Sequence, residues 1–218
     1  MFSIFWIALK DLIYKDMILS KKNIYCTLII LLCFSVSAHS QSIKLKKAFN
    51  GKNLKGWVIP ENNIWWSAQD GVITTKNGPD KKGSILWTKK SYTDFVVELD
   101  FKFVSGTIDS GIFLRNDKQQ IQLGISGSLK RDMTASPYIA GKGYPVEAKN
   151  VASLLKPKDW NTIKIYVKDG LYKTWLNGEQ VMTYTSDNNI KEGPIGLQLH
   201  PNNTMEIDFK NIKIGKIK

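Results

Sequence analysis

DFVVELDFKFVSGTIDSGIFLRNDKQQIQLGI, from Asp94 to Ile125, contains three short segments whose apolar residues recur at every second position. That period belongs to β-strands with one buried face. In the first segment Phe95, Val97, Leu99, Phe101 and Phe103 share a face, opposite Glu98, Asp100 and Lys102. In the second, Ser110, Ile112 and Leu114 oppose Asp109, Gly111, Phe113 and Arg115. The third turns Ile121, Leu123 and Ile125 inward and Gln120, Gln122 and Gly124 outward. If the three pair as neighbours, their polar faces merge into one surface of carboxylates, a guanidinium, amides and an aromatic ring. The outer face of an antiparallel sheet is ordinarily just solvated. Glycine and phenylalanine alternating with Asp109 and Arg115 suit a sugar ring better than water, because rings stack and hydroxyls take bidentate donors.

The same alternation continues on both sides of this stretch. Turn signals separate the short runs: Asn50-Gly51, Asp70-Gly71, Asn77-Gly78-Pro79, Asp169-Gly170 and Asn177-Gly178. Asp169-Gly170 predicts a hairpin of 162–167 with 172–176, and Asn177-Gly178 turns the chain into 180–184. The last strands are expected over 194–200 and 205–214. About a dozen strands over residues 41–218 predict a single all-β domain, a jelly-roll sandwich of two antiparallel sheets. Residues 126–157 lack strand pattern. Tyr138, Lys142, Tyr144 and Glu147 are not the composition of disorder, so the segment reads as a lid over the sheet.

Residues 1–40 stand apart from that domain. From Met17, the expected true start, Lys21 and Lys22 precede an apolar run over 24–36 and the small residues Ser37, Ala38 and Ser40. This is the pattern of a secretory signal peptide, and it predicts a secreted or periplasmic protein with no membrane association after cleavage. Cys26 and Cys33 both fall in this segment, so a mature chain has neither disulfides nor cysteine metal ligands.

The whole chain carries a formal net charge of +12. Its lysines are scattered singly through strands and turns, with no arginine cluster and no basic helix, so nucleic acid is not an expected partner. His200 is the one histidine beyond residue 40. In GPIGLQLH the leucines Leu197 and Leu199 face inward, which puts Gly196, Gln198 and His200 on the opposite face. Metal binding through histidines is thereby closed off. No cofactor is expected, and a calcium ion is left open.

FNGKNLKGW (Phe49 to Trp57), WWSAQDGVI (Trp65 to Ile73), DFVVELDFKF, DSGIFLR, KDWNTIKI (Lys158 to Ile165), WLNG (Trp175 to Gly178), GPIGLQLH and FKNIKI (Phe209 to Ile214) follow one another in this order. Together they resemble the 3-keto-disaccharide hydrolase family, also described as 3-keto-glucoside 1,2-lyase/3-keto-2-hydroxy-glucal hydratase domains, over nearly the whole mature chain. The resemblance implies a concanavalin A-like sandwich and a secreted protein acting on oligosaccharides or glycosides. Two departures stand out. The family's usual Asn-Ser-Gly is Asp109-Ser110-Gly111 here, and its Glu-x-Gln-x-x-Asp strand reads Gln120, Gln122 and Ile125, without either acid.

The chemistry that the resemblance implies follows from its substrate. A carbonyl at sugar C3 acidifies the C2 hydrogen; a base removes it, the C1 substituent leaves, and water adds back. This requires a base, an enolate stabiliser and an acid. The candidates are Asp100 or Asp109 as base, Arg115 as stabiliser and His200 as acid or proton shuttle. Glu98, Phe113, Gln120, Gln122, Tyr138, Lys142 and Gln198 are candidates for holding substrate. Arg115 is expected to point away from the core beside Gln122 and His200, so that replacing it costs little stability. Hydrolysis by a carboxylate pair drawn from Glu98, Asp100 and Asp109, and a sugar-binding module without catalysis, stay open beside the lyase reading.

Overall fold

The structure, a computed structural model, describes residues 43–187 and 190–217. The expected signal peptide and Met17 start lie outside the described residues. The alternating apolar positions build two antiparallel sheets that face each other. One is ordered β12 (Glu179–Thr185), β11 (Leu171–Leu176), β10 (Asn161–Lys168), β6 (Phe95–Gly106), β14 (Met205–Lys216), β4 (Val72–Lys76) and β3 (Trp66–Gln69), with β1 (Lys46–Lys47) also on β14. The other is ordered β2 (Trp57–Val58), β5 (Ser84–Tyr92), β13 (Gly193–Leu199), β7 (Asp109–Leu114), β8 (Gln119–Gly124) and β9 (Pro137–Ile139). One short helix, α1 (Val151–Leu154), precedes β10. The jelly-roll sandwich expected from the alternation is what the chain forms.

The core lies between the sheets. Phe95, Val97, Leu99 and Phe101 of β6 and Ile207 and Phe209 of β14 are buried against Ile112, Leu114, Ile121, Leu123, Leu197 and Leu199 of the facing sheet. Each such side chain contributes about 1.5–3 kcal/mol on leaving water. Hydrogen bonds tie the layers: Tyr172 Oη donates to Gln119 Oε1 at 2.6 Å, and Thr174 Oγ1 to the Ala135 carbonyl at 2.9 Å.

Two expectations are corrected at this level. The three segments of 94–125 do not form one sheet: β6 pairs with β10 and β14, whereas β7 pairs with β8 and β13. The chain crosses between layers directly after Gly106. There φ is +77°, and a Cβ would stand 1.9 Å from the Thr204 carbonyl oxygen, so a residue with a side chain does not fit. The segment 126–157, expected to carry no strand, is the second: part of it is built into the sandwich. It adds β9 to the sheet edge, buries Met133, Thr134, Ala135 and Ser136, and supplies the Thr134 hydroxyl that accepts from the Gly124 amide at 2.8 Å. Among the described residues no helix is long and apolar enough to cross a membrane.

Candidate active site

The face of the six-stranded sheet that points away from the core gathers most of the candidate residues, row by row. Val58 pairs with Trp87, Trp87 with Gly196, Gly196 with Phe113, Phe113 with Gln120 and Gln120 with Tyr138, a continuous row across all six strands. Two residues further along the strands, Ile85 pairs with Gln198 and Gly111 with Gln122. Beyond these, His200 approaches Asp109, Nδ1 to Oδ2, at 3.9 Å.

Asp109 organises the polar end. A carboxylate only accepts hydrogen bonds, so the Gln122 amide must present Nε2 to it, which it does at 2.8 Å to Oδ1. Gln122 Oε1 then accepts from Gln120 Nε2 at 2.9 Å. The relay ends at Gln120 Oε1, which is buried with no donor among the described residues, as is Gln198 Oε1. Buried acceptors left unpaired are rare and costly. Two of them on one face suit the hydroxyl donors of a sugar. Gly111 makes the relay possible, because the Gln120 amide lies where a Cβ would be, 2.7 Å from its Cδ.

Asp109 is 4% exposed, whereas the His200 side chain keeps 38% of its surface. His200 Nδ1 lies 2.8 Å from the Pro201 carbonyl oxygen. A carbonyl cannot donate, so Nδ1 carries the proton and Nε2 is the basic nitrogen of the neutral ring. On the other flank Tyr138 and Tyr144 pack edge to face at 5.2 Å. Burial pushes the Tyr144 phenol up to about 12, with the Asp109 charge adding to the rise against a hydrogen bond with Ser126. Tyr144 is therefore a neutral donor at any working pH. Because its folded value is raised, the associated stability is fully present below the ordinary value of 10 and falls as pH rises toward 12.

Four candidates lie elsewhere. Glu98 and Asp100 are on the outer face of the eight-stranded sheet, a consequence of the crossing after Gly106. Asp100 accepts from Thr162 Oγ1 at 2.7 Å and Asn211 Nδ2 at 2.6 Å, and Glu98 meets Lys213 Nζ at 3.3 Å. Lys142 pairs with Asp187, beyond the end of β12. Arg115 is 3% exposed and its guanidinium is consumed structurally. It donates to the carbonyls of Thr93, Asp169 and Ile190 and to Asp94 Oδ1, and lies 5.9 Å from the Phe95 ring centroid. Parity fails there because β7 ends at Leu114 and Arg115 adopts φ +69°, which swings its side chain off the face. Trp87 and Tyr144 were not among the candidates for substrate or catalysis. Trp87 was readable, since Ile85 and Trp87 alternate with the buried Leu86 and Thr88. Tyr144 was not, because only the fold brings it to Asp109.

Among the described residues no group of three or more His, Cys, Asp or Glu could hold a metal ion.

The polar and aromatic face of this jelly-roll sandwich is a surface of the kind that suits sugar rings and hydroxyls. The chain belongs to the 3-keto-α-glucoside-1,2-lyase-like domain family, whose model matches residues 44–215. A protein of Parabacteroides distasonis ATCC 8503 provisionally classed as a glycosyl hydrolase is similar in structure, with a TM-score of 0.61 at 20% identity over 80% of this chain and 94% of that one. A second such protein from the same organism gives 0.59 at 25% identity, over 80% and 100%. A carbohydrate-binding module from Bacillus subtilis gives 0.55 at 15% identity, over 74% and 96%, a likeness of fold alone. No curated protein matches the chain.

Proposed function

We propose that the protein cleaves 3-keto-glycosides by elimination followed by hydration. His200 Nε2 removes the proton from C2, which the C3 carbonyl acidifies, and the electron pair moves onto the carbonyl oxygen as an enolate. The enolate re-forms the carbonyl as the C1–O bond breaks, and the leaving oxygen takes a proton. Water then adds at C1 of the enone while C2 is reprotonated, so the net change is hydrolysis. Asp109 stabilises the imidazolium, Tyr144 donates to the enolate oxygen, and Gln120 and Gln198 accept from sugar hydroxyls. The observation that carries the reading is the imidazole whose Nδ1 is tied to Pro201 and whose charged form faces a buried carboxylate 3.9 Å away. A pair of carboxylates for ordinary hydrolysis has less support, because Glu98 and Asp100 are on one sheet and Asp109 is on the other.

Purified protein incubated with 3-keto-glucosides and with their unoxidised parents tests this reading. Cleavage confined to the keto-sugars supports it; equal cleavage of the parents overturns it, and glycan binding with no turnover of any keto-sugar makes the protein a binding module. A Gly111→Ala variant is expected to fold, because the backbone there is not left-handed. Its new Cβ displaces the Gln120 amide and unsettles Gln122 beneath Asp109. Turnover should fall about a hundredfold, the usual cost of ångström-scale misplacement, and melting temperatures measured alongside rates distinguish this from unfolding.

A further inference from the structure

The row that runs through Trp87 has no part in the proton transfers, and its construction points to a ligand. The six-membered ring of Trp87 lies on the strand over Gly196, where a Cβ would be 2.6 and 2.7 Å from two ring carbons. Only glycine at 196 lets the indole lie down. Phe113, on the far side of Gly196, meets it at 5.6 Å between centroids and 32° between planes. Trp87 is half-buried, not enclosed, and Val58 at the end of the same row is 48% exposed on the edge strand β2. On the opposite edge the Tyr138–Tyr144 pair stands against the face. Gly196 and Phe113 each lie four residues along their strands from His200 and Asp109, a separation of about 13 Å. The intervening row holds the unpaired Gln198 Oε1.

We infer that Trp87, supported by Phe113 and Gly196, is a stacking platform for a pyranose on the leaving-group side of the scissile bond, and that the substrate is a 3-keto-oligosaccharide instead of a short glycoside. The inference rests on the reading above for which end of the face reacts. A sugar at the polar end leaves the platform empty, since one pyranose cannot span the distance. A chain that continues across Gln198 places a later unit on the indole, whose flat apolar surface matches the axial C–H face of a pyranose. The row of Val58, Trp87, Gly196, Phe113, Gln120 and Tyr138 contains no Lys, Arg, Asp or Glu, which matches a neutral sugar.

Two measurements on the wild type, Trp87→Ala and Trp87→Phe test it. In the first, kcat/KM is compared for a methyl 3-keto-glucoside and for gluco-oligosaccharides oxidised at C3 of the terminal unit. Trp87→Ala is expected to lose about tenfold on the oligosaccharides and nothing on the methyl glycoside, with the loss in KM and largely restored in Trp87→Phe. Equal losses on both substrates, or none on either, overturn the platform. The second is calorimetric titration with unoxidised gluco-oligosaccharides of increasing length, which does not depend on turnover. Affinity that rises with length in the wild type and not in Trp87→Ala upholds the platform even if no keto-sugar is cleaved, in which case the lyase reading alone falls. No binding at any length, or binding unaffected by the substitution, overturns it.

Discussion

Replacing His200 with glutamine is expected to lower turnover of a 3-keto-glycoside by about a hundred- to ten-thousandfold without moving the melting temperature. The side chain is 38% exposed, its hydrogen bond is with the carbonyl of the next residue, and the Asp109 carboxylate 3.9 Å away keeps its hydrogen bond from Gln122, so removing the ring opens no cavity and costs little stability. Glutamine fills similar space but carries no nitrogen able to take a proton near neutral pH. Asp109 stays in the relay with Gln122, and the rest of the face is undisturbed. A loss of this size in k cat with an unchanged melt identifies His200 as the proton acceptor. A variant that turns over as fast as the parent removes it from the reaction and leaves Tyr144, whose phenol feels the Asp109 charge, as the next candidate.

Arg115→Lys has the largest expected effect on stability, about 3 kcal/mol, read as a lowered denaturant midpoint. The buried guanidinium spreads its donors over three carbonyls and a carboxylate, from four residues at three places in the chain: Thr93 and Asp94, Asp169, and Ile190. Asp94 in turn accepts from the Asp169 amide at 2.9 Å, which fastens the start of β6 to the turn between β10 and β11. A lysine ammonium cannot reach all of these acceptors from one point, and each left without a donor in the interior costs about 1–3 kcal/mol. This reverses what the strand pattern suggests for Arg115. Activity should fall only as far as the folded fraction does, so a variant with wild-type stability and lost turnover contradicts the structural role.

How far the sequence could be read depended on what alternation encodes. It distinguishes a core face from an outer face, and so the strands, the β10–β11 hairpin and the two-layer fold were legible. It does not distinguish the layers, since a strand buries its apolar residues against the core from either sheet. Glu98 and Asp100 were therefore placed beside Asp109 when they belong to the other sheet. Alternation also stops with the strand: one residue past Leu114 a left-handed backbone turned Arg115 inward. The polar end of the face was legible in Asp109, Gln120, Gln122, Gln198 and His200, all out of phase with buried neighbours. Their order was not. Only the registers of β7, β8 and β13 show that the glutamines line up in a relay from Asp109, with the amide oxygens of Gln120 and Gln198 lacking a donor among the described residues.

The absent acids of the family's strand acquire a physical meaning in that relay. The glutamine at 120 stands where the family has an acid, and through Gln122 it joins an amide chain to Asp109, so the Asp109 carboxylate meets amide donors in the relay and not a second carboxylate. Elimination begins with proton abstraction from C2. The most direct measurement uses a 3-keto-glucoside carrying deuterium at C2. If His200 acts as proposed, the label is lost to water at the rate of glycosidic cleavage, and both processes fall together in His200→Gln. Cleavage that releases the sugar with its C2 deuterium retained would contradict elimination and assign the bond breaking to direct hydrolysis.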